Sequence, residues 1–304
     1  MTIWRLTINT SAKDGVDPRK FCIENNILGF GWPVSHSKSM DWDTYERLGT
    51  ETYYNDNDKG WWPAVNAIHN RMEIGDLCWT RDWEGRYYLG RVEGPWEYRA
   101  DERHTNADIV NVRSCKWIYI GTDDSVPGKV INSFRASRTL QAVHDETAAF
   151  YSKLRFNKEG NAPKYDLSPR GKDLDFFSLI STEDCEDIVG IYLQEVRGFR
   201  LIPSTCRSNT LKTEFILRKL NQKAQAQVKQ GNVIINMADY SFDKNDPCDW
   251  YLFTTCGHYV GQNTDYVHCL DPEEMRNFVY SNITLMSDRV RQFVEFCLEE
   301  NLHY

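Results

Sequence analysis

The sequence has no run of eighteen apolar residues and no charged-then-apolar leader. Met1-Thr-Ile-Trp4-Arg-Leu-Thr7 reads instead as an immediate first strand. Those absences argue against membrane spanning and secretion, and a cytoplasmic location is expected. The nine cysteines include no Cys-x-x-Cys pair, and their number is odd. Reduced thiols are therefore expected in place of disulfides or structural zinc. Cys185, Cys256, Cys269 and Cys297 sit among patterned apolar residues and read as small core side chains. His258 and His268 lack ligand spacing to cysteine or to another histidine. No internal repeat, low-complexity tract, Gly-x-x-x-x-Gly-Lys phosphate loop or Ser-His-Asp order occurs. Motors and hydrolases of those types are disfavoured. An excess of positive charge is also missing: the net charge is −8. Any attraction to nucleic acid must then rest on local basic patches or on bound cations, which reverse the local sign.

What is present is an ordinary globular balance, 41% hydrophobic and 26% charged, in a length that suggests two domains. Nine of the ten tryptophans fall in the first 135 or so residues, more than core filling alone explains. Short strand patterns there alternate with glycine-bearing turns. Ile27 to Pro33 contains Gly29, Gly31 and Trp32, and Ile74 to Val92 reads as a hairpin turning at Asp82-Trp83-Glu84-Gly85. Further strands are expected at 109–112 and 116–120, and a small β-barrel would accommodate so many short strands. Trp32, Trp61, Trp62 and Trp83 are candidates for an aromatic cage. Trp61 and Trp62 are adjacent, so from a strand they cannot both face one core. A base stacked on such rings gains about 1–3 kcal/mol.

Lys129, Arg135 and Arg138 suit either phosphate contact or a solvated face. Leu140, Val143, Thr147, Phe150 and Leu154 predict an amphipathic helix over 137–156. Residues 157–172, with Gly160, Pro163, Pro169 and Gly171 among charges, read as a linker. The expected organisation is a first domain over 1–135, a connector helix and linker over 136–172, and a second domain over 173–304.

In that second domain the segment Glu214 to Gly231 predicts a β-hairpin, with Phe215-Ile216-Leu217 on one flank and Val228, then Val233-Ile234-Ile235, on the other. A turn centred near Asn221 places Glu214 opposite Val228, beside Gln227 and Lys229. Gln227 and Lys229 share one face because strand side chains alternate. A carboxylate, an amide oxygen and an ammonium so placed suit a divalent cation and a phosphate. Glutamate and lysine are also common on the wet face of a hairpin, so the pattern acquires meaning only from its context. Upstream, Ser181 or Thr182 can cap a helix whose first turn is acidic and whose Ile188, Tyr192 and Val196 recur at helical spacing. Downstream, a buried strand at 250–255 and amphipathic helices at 272–280 and 287–298 complete the expected elements.

Helix, short strand, acid-bearing strand and Gln-x-Lys strand, in that order, resemble the PD-(D/E)xK superfamily. Within it the resemblance is to the restriction-endonuclease-like Mrr group, over roughly 173–304. It implies an α/β/α nuclease fold, Glu186 as the helix acid, Glu214 as metal-binding acid, Gln227 as auxiliary ligand and Lys229 as catalytic lysine. Glu183, Asp184 and Asp187 compete for the helix role. Over about 1–130, Met72-Glu-Ile-Gly75-Asp76-Leu77 followed by Tyr88-Leu-Gly90-Arg-Val92-Glu-Gly94 resembles the EVE branch of the PUA-like superfamily, related to YTH domains. That likeness implies a pocket for a flipped, often modified base. Together the two resemble modification-dependent restriction endonucleases. The expectation is an α+β protein in which Mg²⁺ is held by Glu214, Glu186 and Gln227. Its partner would be modified double-stranded DNA, and a homodimer would cut both strands. The competing expectation is a nucleic-acid or small-nucleotide binding protein whose nuclease-like half is inactive or awaits an activator.

Overall fold

The computed structural model describes residues 1–34, 37–54, 58–160, 165–167, 174–206 and 213–302. The chain divides into two compact units, Met1–Gly171 and Lys172–Tyr304. Both are α+β with mixed sheets.

In the first unit the order is β1 (Ile3–Leu6), α1 (Pro18–Glu24), β2 (Ile27–Phe30), α2 (Trp42–Gly49), α3 (Trp61–Asn66), β3 (Leu77–Arg81), β4 (Tyr87–Tyr98), α4 (Glu102–Ala107), β5 (Asn111–Gly121), α5 (Gly128–Ser133), β6 (Leu140–Val143) and α6 (Glu146–Glu159). Its six strands follow the spatial order β2-β5-β4-β3-β1-β6. Only β1 and β3 run parallel; the other neighbours are antiparallel. The expected barrel therefore takes the form of a sheet with β2 and β6 at its ends. The hairpin β3–β4 closes at the expected residues: Asp82 N–H donates to Arg86 O at 3.0 Å, and Gly85 supplies the left-handed backbone at φ 77°. Asp82 Oδ1 takes the N–H groups of Glu84 and Arg86, which fixes the turn from inside. The two strands expected over 109–120 are one, β5.

The helix expected over 137–156 is shorter. Leu140 to Val143 form β6 and pair with β1, so two of the five patterned positions serve a sheet. The helix starts after Asp145, whose side chain accepts from Ala148 N–H at 2.8 Å. Trp79 Nε1 donates to Ser152 Oγ at 2.9 Å and joins α6 to the sheet. Of the expected linker, residues 157–160 belong to the end of α6, and 161–164 and 168–172 lie outside the described residues. Tyr165 donates its hydroxyl to Gly75 O at 2.8 Å.

The second unit runs α7 (Thr182–Glu195), β7 (Arg200–Leu201), β8 (Phe215–Lys219), β9 (Gln222–Lys229), β10 (Ile235–Asn236), β11 (Asp249–Thr254), β12 (Tyr259–Val260), β13 (Val267–Cys269), α8 (Pro272–Ser281) and α9 (Asp288–Leu302). Its main sheet has the order β13-β11-β9-β8-β7. β13, β11 and β9 are parallel, while β8 and β7 are antiparallel to their neighbours. Ala224, Ala226 and Val228 alternate along β9 and are fully buried, which leaves a shallow surface where α7 packs. Gly190 on α7 sits above Phe215: an added Cβ would meet the ring at 3.7 Å. Val233 and Ile234 do not extend the main sheet. They are exposed, and β10 pairs with β12 in a separate two-stranded sheet.

Ile188 and Tyr192 face the core, whereas Val196 caps α7 and is exposed. Cys185 and Cys297 are buried as expected. Cys256 is half-buried and Cys269 exposed, so these two are not core side chains, and all nine cysteines are free. No helix among the described residues is long and apolar enough to cross a membrane.

Candidate functional site

The β8–β9 hairpin turns at Leu220-Asn221, with Lys219 paired to Gln222 and Leu220 in the left-handed region at φ 50°. A turn of two residues shifts the expected register by one. Phe215 pairs with Ala226, so Glu214 comes level with Gln227 in place of Val228. Glu214 N–H donates to Ala226 O at 2.9 Å, which holds this first residue before β8 against the partner strand. Level residues of an antiparallel pair share a face. Gln227 Nε2 accordingly donates to Glu214 Oε1. Lys229 Nζ approaches the same oxygen at 3.5 Å. Gln227 is buried, Glu214 is largely buried, and Lys229 keeps 41% of its side chain in solvent. The ammonium can therefore swing toward a bound anion while the carboxylate stays fixed.

Among the four acids at the start of α7, geometry separates the roles. Ser181 N-caps the helix: its hydroxyl accepts from Asp184 N–H at 3.1 Å, and Asp184 Oδ2 accepts from Ser181 N–H at 2.8 Å. Asp184 also pairs with Arg289 of α9 at 3.1 Å, so it is committed to structure. Glu183 and Asp187 are exposed. Glu186 is half-buried, and its carboxyl is pushed up to about 7. Burial is the main cause, followed by the charge of Glu214 and then Glu183 and Asp187, with Lys229 acting in the opposite sense. Glu186 therefore senses both charged members of the hairpin.

A residue given no role by the sequence holds the two elements together. Gln230, just past β9, donates Nε2 to Phe177 O at 2.9 Å and to Ile180 O at 2.5 Å. Thr182 Oγ1 donates to its Oε1 at 3.3 Å. The end of the lysine-bearing strand is thereby tied to the N-terminus of the helix that carries Glu186. No sequence signal beyond its place after Gln-x-Lys marks it.

Mg²⁺ binds through hard oxygens, commonly one or two carboxylates together with waters and substrate phosphates. The Glu214 and Glu186 carboxylates, with the neighbouring Gln227 amide, fit that donor chemistry. No group of three or more His, Cys, Asp or Glu side chains able to hold a metal occurs among the described residues. Any cation here would depend on Glu214, Glu186 and Gln227, with water or substrate completing its shell.

The candidate cage of the first unit is not assembled as expected. Trp61 opens α3 and is 1% exposed, packed over Gly49 where an added Cβ would meet its ring at 2.3 Å. The pair lies on a helix, so its buried member is Trp61 and its exposed member Trp62, at 37%. Trp83 projects from the tip of the β3–β4 hairpin, with the Arg19 guanidinium 3.6 Å from its ring centroid. It lines a cleft of about 400 Å³ with Asp17, Lys20 and Tyr88, apart from Trp32.

Trp32 lines a different, open cavity of about 550 Å³ beside Tyr53, Asp58 and Asp108. Its backbone is left-handed at φ 66°, and its Nε1 donates to Asp58 Oδ2 at 2.8 Å. Tyr53 donates its hydroxyl to Pro33 O. Asp108 Oδ2 accepts from Ser11 N–H at 2.8 Å, and burial pushes its carboxyl above the ordinary range. Gly31 is required beside it, because a Cβ there would stand 2.6 Å from Asp108 Oδ1. Sequence reasoning found Trp32 through Gly-Phe-Gly and missed Tyr53 and Asp58, which lie close together in the chain, and Asp108, which lies fifty residues further on.

With this geometry in hand, comparisons place the chain as follows. Residues 4–144 match the family described as "Domain of unknown function (DUF8426)". No curated protein matches the chain. It is similar to a solved structure described as "DNA modification-dependent restriction endonuclease AspBHI", at 10% identity over 97% of this chain and 86% of that one. The TM-score is 0.20, too low to argue for a shared fold.

Proposed function

We propose that the protein is a metal-dependent endonuclease acting on modified DNA. The observation that carries the reading is the convergence of Glu214, Gln227 and Lys229 on one face of a hairpin, within electrostatic reach of Glu186. In this reading Glu214, helped by Glu186 and Gln227, presents oxygens to Mg²⁺. When bound, the ion would supply stabilisation of phosphoryl charge and a more acidic water. Lys229 releases Glu214 and donates to a phosphate oxygen, its charge neutralising what develops there. Gln227 holds the Glu214 carboxylate in place through its amide.

The cavity at Trp32 supports the second half of the reading, a site for one extruded base. Its volume lies within the usual range for small-molecule sites, and it combines aromatic surface with a few polar groups. Asp108 lines the cavity and offers carboxyl oxygens as acceptors to a base edge. Cutting both strands requires two such nuclease sites and so a homodimer.

The test is cleavage of modified phage DNA beside its unmodified amplified copy, with Mg²⁺ or chelator, using wild type and Lys229→Ala. Metal-dependent cutting of the modified DNA alone, lost in the variant, is expected. Equal cutting of both DNAs would discard the base reader, and full activity of Lys229→Ala would discard the nuclease site.

A further inference from the structure

One ionisable group near Glu214 has no part in the site described so far. Tyr240 follows the turn after β10 and is 9% exposed. It packs in the cluster of Ile235, Trp250, Leu252 and Val267. Its ring centroid is 5.0 Å from that of Trp250. In the sheet Trp250 is level with Gln225 and Leu252 with Gln227. Level residues of paired strands share a face. Tyr240 therefore covers the same face that carries Gln227 and Lys229, from the β11 side, opposite to β8.

The ring is held by this apolar contact and by its backbone, whose N–H donates to Met237 O at 3.2 Å. Among the described residues the hydroxyl enters no hydrogen bond. The ring is buried, but the hydroxyl is not among the buried unpartnered polar atoms of the described residues, so it reaches solvent and can donate to a ligand on this face. Burial, then Asp239 and Glu214, push its pKa up, so the phenol keeps its proton throughout the neutral range. Glu214 Oε1 already receives Gln227 and Lys229. What the face then offers is one mobile cation and one fixed neutral donor beside a carboxylate.

Resting on the nuclease reading of this site, we propose that Tyr240 is a further catalytic residue. Its O–H donates to a non-bridging oxygen of the scissile phosphodiester, opposite to the Lys229 ammonium. A fixed donor of this kind acts where charge develops and needs no reorganisation during the reaction.

The experiment compares wild type, Tyr240→Phe and Lys229→Ala on a phosphodiester duplex and on one with a single phosphorothioate at the cut position. Phenylalanine keeps the ring on Trp250 and removes only the O–H. Cleavage by Tyr240→Phe is expected to fall about 100-fold with little change in KM, at the lower end of what one lost donor costs. Sulfur is a weak acceptor, so the phosphorothioate should slow wild type more than the variant. The thermal midpoint without DNA should not move. Cleavage by Tyr240→Phe at the wild-type rate would overturn the proposal, as would an equal thio effect in both proteins. A lower midpoint matching the loss of rate would make Tyr240 a packing residue only and equally overturn it. Wild type that cuts neither duplex would bring down the nuclease reading itself, and the role of Tyr240 with it.

Discussion

Lys229 Nζ stands 3.5 Å from Glu214 Oε1, the oxygen that also receives the Gln227 amide. The lysine is partly solvated, so this ion pair contributes at most about 1 kcal/mol to stability. Its loss should therefore show in chemistry much more than in folding. Lys229→Ala is expected to abolish cleavage, bind DNA about as well as wild type, and melt within a degree or two of it. Electrophoretic mobility shift and a melting curve check both halves. An unfolded variant, or one that still cuts, would contradict the assignment.

Glu186 gives the pH dependence a definite sign. Its carboxyl titrates near 4.5 when unfolded and near 7 in the folded unit, so the folded state binds the proton more tightly. Stability then declines as pH rises between those values, and the full penalty is present above about 7. Allowing for partial solvent screening, the penalty is about 1–2 kcal/mol. Glu186→Gln should melt several degrees higher than wild type at pH 8 and at nearly the same temperature at pH 4. Mg²⁺ should raise the wild-type midpoint at pH 8 and do so less for the variant. Equal midpoints for the two proteins at pH 8 would show that the carboxylate is not strained.

Trp32 and Trp61 should separate cleanly. Trp61 fills the core and donates to Tyr45 Oη at 3.3 Å, so Trp61→Ala is expected to cost about 3–5 kcal/mol of stability. Trp32 sits at φ 66°, a region where glycine is unstrained. Trp32→Gly keeps that backbone while deleting the ring. It should weaken binding to modified DNA by about 10- to 100-fold, the equivalent of one lost stacked base. Fluorescence anisotropy with modified and unmodified duplexes measures the difference. An unchanged preference for the modified duplex would remove Trp32 from the reader.

Much of the second unit was legible because its signals are local. Ser181 and Asp184 form a capping box three residues apart, and Ala224, Ala226 and Val228 alternate within one strand. The register escaped by one residue because Leu220, unlike glycine or asparagine, gives no warning of a left-handed turn. The helix expected from 137 was cut short for a similar reason. Leu140 and Val143 fit a helical period, and only pairing with β1, more than 130 positions away, makes them a strand. The Trp32 cavity was hidden furthest. Trp32, Tyr53 with nearby Asp58, and Asp108 meet there through tertiary packing, which no spacing in the chain records.

Gln230 offers the sharpest separation of position from chemistry. It touches neither Glu214 nor Glu186 directly, yet its amide spans from the end of β9 to Phe177 O, Ile180 O and Thr182 Oγ1 at the start of α7. Gln230→Ala deletes these bonds and leaves backbone carbonyls without a donor, at a cost of about 1–3 kcal/mol. Loosening that tie lets Lys229 and Glu186 drift apart. A displacement on the order of 1 Å at a reacting centre lowers rates by as much as about 100-fold. The variant is expected to lose most of its kcat at temperatures where it remains folded, with the Lys229 ammonium still present. Gln230→Glu retains acceptance from Thr182 and loses both donations, so it should resemble the alanine variant. If either variant cleaves at the wild-type rate while folded, the tie is structural only and the geometry of the site is set elsewhere.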